Sequence, residues 1–129
     1  MGLTDILQDS GRREQIEDFV SRYDQGKPAD GITDEEAVQR YDEVTAQLDD
    51  QEYESSAREA FERLDPQERR EVSRTLQQEE TDDPAELAKA TRRVQKEQPD
   101  LLRDLMSNPA LKGAVAGIAA QAAKRVLKR

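Results

Sequence analysis

The sequence predicts an all-α protein, a small bundle of five to seven short amphipathic helices with an Ala/Gly-rich helix at the C-terminus. Apolar residues recur at intervals of three and four through most of the chain, which is the period of a helix with one buried face. Residues that cap helix N-termini precede several of these runs, twice as an Asp-Pro pair. Residues 108–129 contain no acidic side chain, unlike the rest of the chain.

The composition predicts a thin hydrophobic core and little catalytic chemistry. Leu, Ile, Val and Phe supply 24 of 129 residues and the net charge is −9, which approaches the composition of disordered chains. The chain has no Cys, which excludes disulfide bonds, and no His, the commonest general base and metal ligand. We therefore expect a non-enzymatic protein without cofactor or metal. An enzyme that uses only Asp, Glu, Arg and Tyr is the alternative.

The N-terminal half predicts four helices joined by short loops. The first spans residues 2–9, and the second follows Ser10 and ends at Gly26. Thr33 with Glu36, and Asp49 with Glu52, each form a capping box that opens a helix. All five aromatic residues lie between residues 19 and 61, so we expect the main core there. The inner-face residues are Ile16, Phe19, Val20 and Tyr23, then Ala37, Tyr41, Val44 and Leu48, then Tyr53, Ala57, Ala60, Phe61 and Leu64.

The C-terminal half predicts two weaker helices before the last one. Asp65 and Asp83 each precede a Pro and have a Glu three residues later, so each predicts a helix with a capping box. Pro99 ends the second of these helices and begins a short turn that leads to Asn108. Residues 77–107 contain no aromatic residue, so we expect them to pack more loosely, to wrap around the first half, or to become ordered on a partner.

The last helix combines an apolar stripe with a basic end. Asn108 is a suitable N-cap and Pro109 suits the first helical position. The stripe, here called the tail stripe, consists of Leu111, Val115, Ile118, Ala122 and Val126. The basic end consists of Lys124, Arg125, Lys128 and Arg129. The uncharged run from 113 to 123 spans only about 17 Å, against roughly 30 Å for a bilayer core, so we do not expect it to cross a membrane.

Charge and apolar content divide the chain into three parts. Residues 1–78 form an N-terminal helical core with all the aromatics, residues 79–107 a polar helical connector, and residues 108–129 the apolar and basic C-terminal helix. Residues 1–104 hold all 29 acidic and 15 of the 20 basic residues, a net charge of −14, whereas residues 105–129 carry +5. The acidic body and the basic tail should therefore attract each other.

Three other patterns are better explained as solvated surface than as sites. The loop 24–36 resembles a calcium loop, but alignment on Gly31 puts Ala37 where the bidentate acid is required. The acidic residues Glu79, Glu80, Asp82 and Asp83 lack the unlike environments that paired catalytic carboxylates need. The arginines Arg69, Arg70, Arg74, Arg92 and Arg93 lie in helices rich in Glu and Gln, where they form surface ion pairs.

The tail stripe and the basic end are therefore the predicted interaction surface. We expect the C-terminal helix to dock on its own body, on a protein partner or on a second copy. A membrane surface is an alternative, although the helix has no Trp or Phe to anchor it. Nucleic acid is not an expected partner because an acidic body repels phosphates. A salt-adapted or stress-associated protein with no dedicated ligand is a further alternative, since 14 Arg and 6 Lys accompany many acids. Residues 1–7 show no signal-peptide pattern, so we expect a cytoplasmic protein.

Overall fold

The computed structural model describes residues 10–25, 31–76 and 80–128. These residues form seven helices and no strand, which confirms the all-α class. The helices are α1 (Ser10–Gln25), α2 (Asp34–Thr45), α3 (Asp50–Glu62), α4 (Pro66–Thr75), α5 (Pro84–Glu97), α6 (Pro99–Asp104) and α7 (Pro109–Leu127). The helix predicted over residues 2–9 lies outside the described residues, as does Arg129.

Local capping chemistry sets where most of the helices begin. Asp49 accepts a hydrogen bond of 2.8 Å from the backbone N–H of Glu52, whose carboxylate accepts one in return. Asp65 and Glu68 repeat this arrangement, so both of these predicted capping boxes are confirmed. Asn108 caps α7 by accepting from the N–H groups of residues 110 and 111.

Two predicted capping boxes are incomplete because the acid of each binds elsewhere. Thr33 accepts from the N–H of Glu36, but the Glu36 carboxylate pairs with Arg22 of α1. Asp83 accepts from the N–H of residue 85, and Glu86 binds the hydroxyl of Thr81. Contacts with a neighbouring helix or loop thus replace the local return bond, although both helices still begin at the predicted residue.

The C-terminal helix α7 lies at the centre of the bundle. It packs on α1, α2, α3 and α4, while α5 packs on α3 and α6 packs on α5. Its residues from 113 to 123 are all buried, so the helix is enclosed on every side. One hydrophobic cluster extends from Ile16 of α1 to Val126 of α7 and includes Leu87 and Val94 of the polar connector. The expectation of a mainly N-terminal core is therefore wrong, although all five aromatic residues are buried in it.

The close approach of α7 to its neighbours depends on small residues. A Cβ atom placed on Gly117 would lie 2.9 Å from the Ala60 Cβ and 2.9 Å from the Tyr23 hydroxyl oxygen. Ala60 is itself nearly the smallest residue possible and its Cβ is fixed to the α3 backbone. The glycine therefore lets α7 approach α1 and α3 more closely than any other residue would.

The substitution Gly117→Ala should consequently destabilise the protein. Overpacking costs about 1–3 kcal/mol, which exceeds the roughly 1 kcal/mol that Ala gains over Gly in a helix, so we expect a net loss of about 1 kcal/mol. Denaturant titration of this variant, of Ala60→Gly and of the double variant would measure the coupling. The double variant should be more stable than the sum of the single changes predicts. A more stable Gly117→Ala protein would contradict the close approach.

The substitution Val115→Asp tests the central position of α7. Val115 is 1% exposed, so the new carboxylate would enter an apolar interior without a partner. We expect a loss of more than about 4 kcal/mol, enough to unfold a domain of this size. The matched control is Val38→Asp, since Val38 of α2 is only partly buried. Circular dichroism and denaturant titration would compare them, and equal small losses would show that α7 is not enclosed.

Candidate functional site

The predicted interaction surface on α7 faces the interior of the fold. The five residues of the tail stripe are each at most 1% exposed. Of the basic end, Lys124 binds the carboxylate of Asp24 at 3.0 Å, and the Arg125 guanidinium donates to Ser56 and pairs with Glu59. Lys128 is exposed. The acidic body thus holds the basic tail, and in this fold the tail stripe is not accessible to a partner.

The other sequence patterns become ion pairs within the chain. Arg70 pairs with Asp82, and Arg74 with Glu80, across the loop between α4 and α5. Arg92 pairs with Asp50 and lies 4.6 Å from the centre of the Tyr53 ring. Asp24, at the start of the calcium-like loop, binds Lys124 and also Arg63, and residues 26–30 of that loop lie outside the described residues. No group of three or more acidic side chains in the described part of the chain could hold a metal ion.

Arg69 departs from the predicted pattern of surface ion pairs. It is partly buried, and its guanidinium donates to the backbone carbonyl oxygens of Phe61 and Leu64, at 3.0 and 2.7 Å. These carbonyls lie at the C-terminal end of α3, where the last turn leaves acceptors without helical partners. Arg69 therefore completes the end of α3.

Two buried tyrosines form a polar contact in the core. The hydroxyl oxygens of Tyr41 and Tyr53 are 2.6 Å apart, and the rings pack edge to face. Burial raises the pKa of both phenols, so both stay protonated near neutral pH. One hydroxyl donates to the other, and this hydrogen bond joins α2 to α3.

An open groove of about 780 Å³ runs along the outer face of α2. Half-buried Val38 of α2 and exposed Ala46, the C-cap of α2, provide its accessible apolar surface, and Met106, in the turn before α7, also lines it but is only 3% exposed. Glutamine and charged side chains surround them, namely Asp34, Glu35, Gln39, Asp42, Glu43, Gln47 and Arg103. Within the part of the chain that the structure describes, this is an accessible concave surface with an apolar floor.

The charges around the groove are unevenly compensated. Lys112 binds Asp34 at 3.1 Å and Arg40 binds Glu43 at 3.0 Å, and both of these cations are largely buried. Asp42 is paired at 2.7 Å with Arg103, but both side chains are about half exposed or more. Glu35 is exposed and forms no ion pair among the described residues. A ligand in the groove would meet Glu35, which no other described residue pairs with, and the exposed carboxylates of Asp34 and Asp42, of which only Asp42 has an exposed cation as its partner.

Sequence reasoning missed this groove. The inner face of α2 was predicted from residues 37, 41, 44 and 48, and all four are buried. Val38 lies outside that face, as a single apolar residue among Asp34, Glu35 and Asp42. This isolated residue was the available signal, but the other wall comes from Arg103 and Met106, about sixty positions later in the chain.

Comparisons with known proteins add no family or function. No protein-family model, curated protein or solved structure matches the chain. Within the described residues, the structure contains no helix of the length and apolarity that crossing a membrane requires.

The Glu36–Arg22 pair predicts a measurable loss of stability in acid. Hydrogen bonds from Arg22 hold the pKa of Glu36 below its ordinary value of 4.5, although burial opposes the shift. A lowered folded-state pKa contributes stability above the unfolded pKa, and that stability is lost as the pH falls through the folded value. Glu36→Gln should therefore be less stable than the wild type at pH 6, and the gap should narrow as the pH falls below the ordinary Glu pKa of 4.5.

Denaturant titrations at pH 6, 5, 4 and 3 would measure this gap. Glu14→Gln is the matched control, because Glu14 is exposed on α1 and forms no ion pair among the described residues. That variant should track the wild type throughout. A gap for Glu36→Gln that stays constant down to pH 3 would contradict the ion-pair assignment.

Proposed function

We propose that this protein is a non-enzymatic interaction module that binds a partner in the groove along α2. The observation that carries the proposal is the apolar surface that half-buried Val38 and exposed Ala46 leave accessible in the groove, next to the buried Met106. Apolar surface surrounded by polar residues is typical of binding grooves. The tail stripe and the basic end support docking of α7 on its own body.

The dimensions of the groove suit a helical or extended peptide. Its volume of about 780 Å³ lies within the usual range for ligand pockets, roughly 300–1,000 Å³. The lining residues on α2 and its C-cap run from 34 to 46, a length of about 18 Å at about 1.5 Å per residue. That length accommodates three turns of a partner helix, which would place its apolar face against Val38 as in other helix-in-groove complexes.

A second, smaller depression can be compared with the α2 groove. It lies between α3 and α5, has a volume of about 380 Å³, and is lined by Ala85, Ala88 and several polar side chains. Its apolar residues are all Ala, so it offers no larger side chain for a partner to cover. The α2 groove is the better docking surface for that reason.

Peptide display against the purified protein tests the proposal. Selected peptides should show apolar residues at helical spacing and should lose binding to Val38→Asn and Ala46→Gln, which remove apolar floor without changing charge. Ala85→Gln is the matched control in the smaller depression and should bind normally. Circular dichroism would verify that each variant is folded. Selection of no peptide, or of peptides that ignore Val38 and Ala46, would overturn the proposal.

A further inference from the structure

We infer that the occupant of the α2 groove is a basic amphipathic helix of a partner protein. When this helix binds, one of its cations replaces Arg103 as the ion-pair partner of Asp42. This inference rests on the proposed function and names the chemistry of the partner. It depends on the charges that surround the apolar floor and on the exposure of the Arg103–Asp42 pair.

Charge complementarity selects a basic partner. Four carboxylates and one guanidinium line the groove, and two of the acids, Asp34 and Glu43, are already paired with largely buried cations. Glu35 forms no ion pair among the described residues, and Asp42 is the paired acid whose own cation, Arg103, is also exposed, so a partner can reach both acids on the outer face of α2. They are seven residues apart, which is two helical turns or about 10.5 Å. A partner helix with two cations at the same spacing and apolar residues between them would match both acids and Val38.

A second copy of this chain does not fit the same surface. Each copy carries a net charge of −9, so two acidic surfaces would repel each other. The cations Lys112, Lys124 and Arg125 of the apolar helix α7 are engaged with Asp34, Asp24 and Glu59 of the same chain. Among the described residues, the apolar face of α7 is buried and its three cations are paired within the chain, so α7 does not offer another copy a basic apolar helix.

Arg103 occupies the place that a partner cation would take. Its guanidinium is 2.7 Å from the Asp42 carboxylate and links α6 to α2 beside the groove. The side chains of Arg103 and Asp42 are 61% and 47% exposed, and ion pairs of such exposure are weak. A cation of a basic partner can therefore replace Arg103 in the ion pair at little cost in free energy. An acidic partner could pair with Arg103, but Glu35 would repel it.

The variant Arg103→Gln tests whether Arg103 competes with the partner for Asp42 or only holds α6 against α2. The probe is a synthetic helical peptide of Ala and Leu with two Lys seven residues apart, measured by fluorescence anisotropy at low salt. Removing Arg103 should tighten its binding by roughly two- to fivefold, the scale of an exposed ion pair. Asp42→Asn should weaken binding by a similar factor, and in the Asp42→Asn background the Arg103 effect should disappear. Added salt should reduce the affinity.

Two further peptides distinguish failure of the basic-helix inference from failure of the proposed docking site. One replaces both Lys with Glu, and the other places the two Lys in consecutive positions. Both should bind more weakly than the probe. If all three peptides bind equally and Val38→Asn abolishes binding of each, the basic-helix inference is overturned and the groove remains a docking site. If Val38→Asn and Ala46→Gln leave the probe bound, both proposals fail. If the Arg103→Gln protein binds the probe with unchanged or lower affinity, the proposed replacement of Arg103 by a partner cation is overturned.

Discussion

The enclosure of α7 is the constraint on which the rest of the structure depends. A helix that is apolar all round cannot stay in water and must be covered on every side. Because its residues are mostly Ala and Gly, it offers little area per turn, and neighbouring helices gain contact only by approaching closely. Gly117 against Ala60 and Tyr23 is where that approach is tightest. The four helices α1 to α4 are therefore arranged around α7.

Charge then fixes how α7 sits among these helices. Lys112 near one end and Lys124 and Arg125 near the other pair with Asp34, Asp24 and Glu59 of the body. Partly exposed pairs add little stability individually, so their contribution is to select one orientation of the helix. Because many acids are paired with Arg and Lys, salt screens attraction between these pairs as well as repulsion among the acids. The ion pairs therefore do not decide whether salt stabilises the protein, and salt adaptation stays a prediction.

The sequence predicted the features that depend on neighbouring residues, such as helix starts. It missed the features that depend on residues far apart in the chain. The capping boxes at Asp49 and Asp65 need only two residues that are three positions apart, so the sequence alone predicts them. At Thr33 the prediction failed in part, because Arg22 of another helix binds Glu36. The tail stripe was identified, but Ala and Gly carry too weak a hydrophobic signal to show that the opposite face is also buried. The groove requires Arg103 and Met106 beside α2, a contact that no short-range pattern encodes.

The position of α2 connects the core to the proposed binding surface. Its inner face packs on α7 through Ala37, Tyr41 and Val44, and its outer face presents Val38 to the groove. Asp34 belongs to both sides, since it lines the groove and holds Lys112 of α7. A ligand that binds only when α2 is docked must therefore favour the folded bundle by mass action. Binding and folding are linked through one helix, because the groove exists only while α2 and the α6–α7 turn are held by the same core.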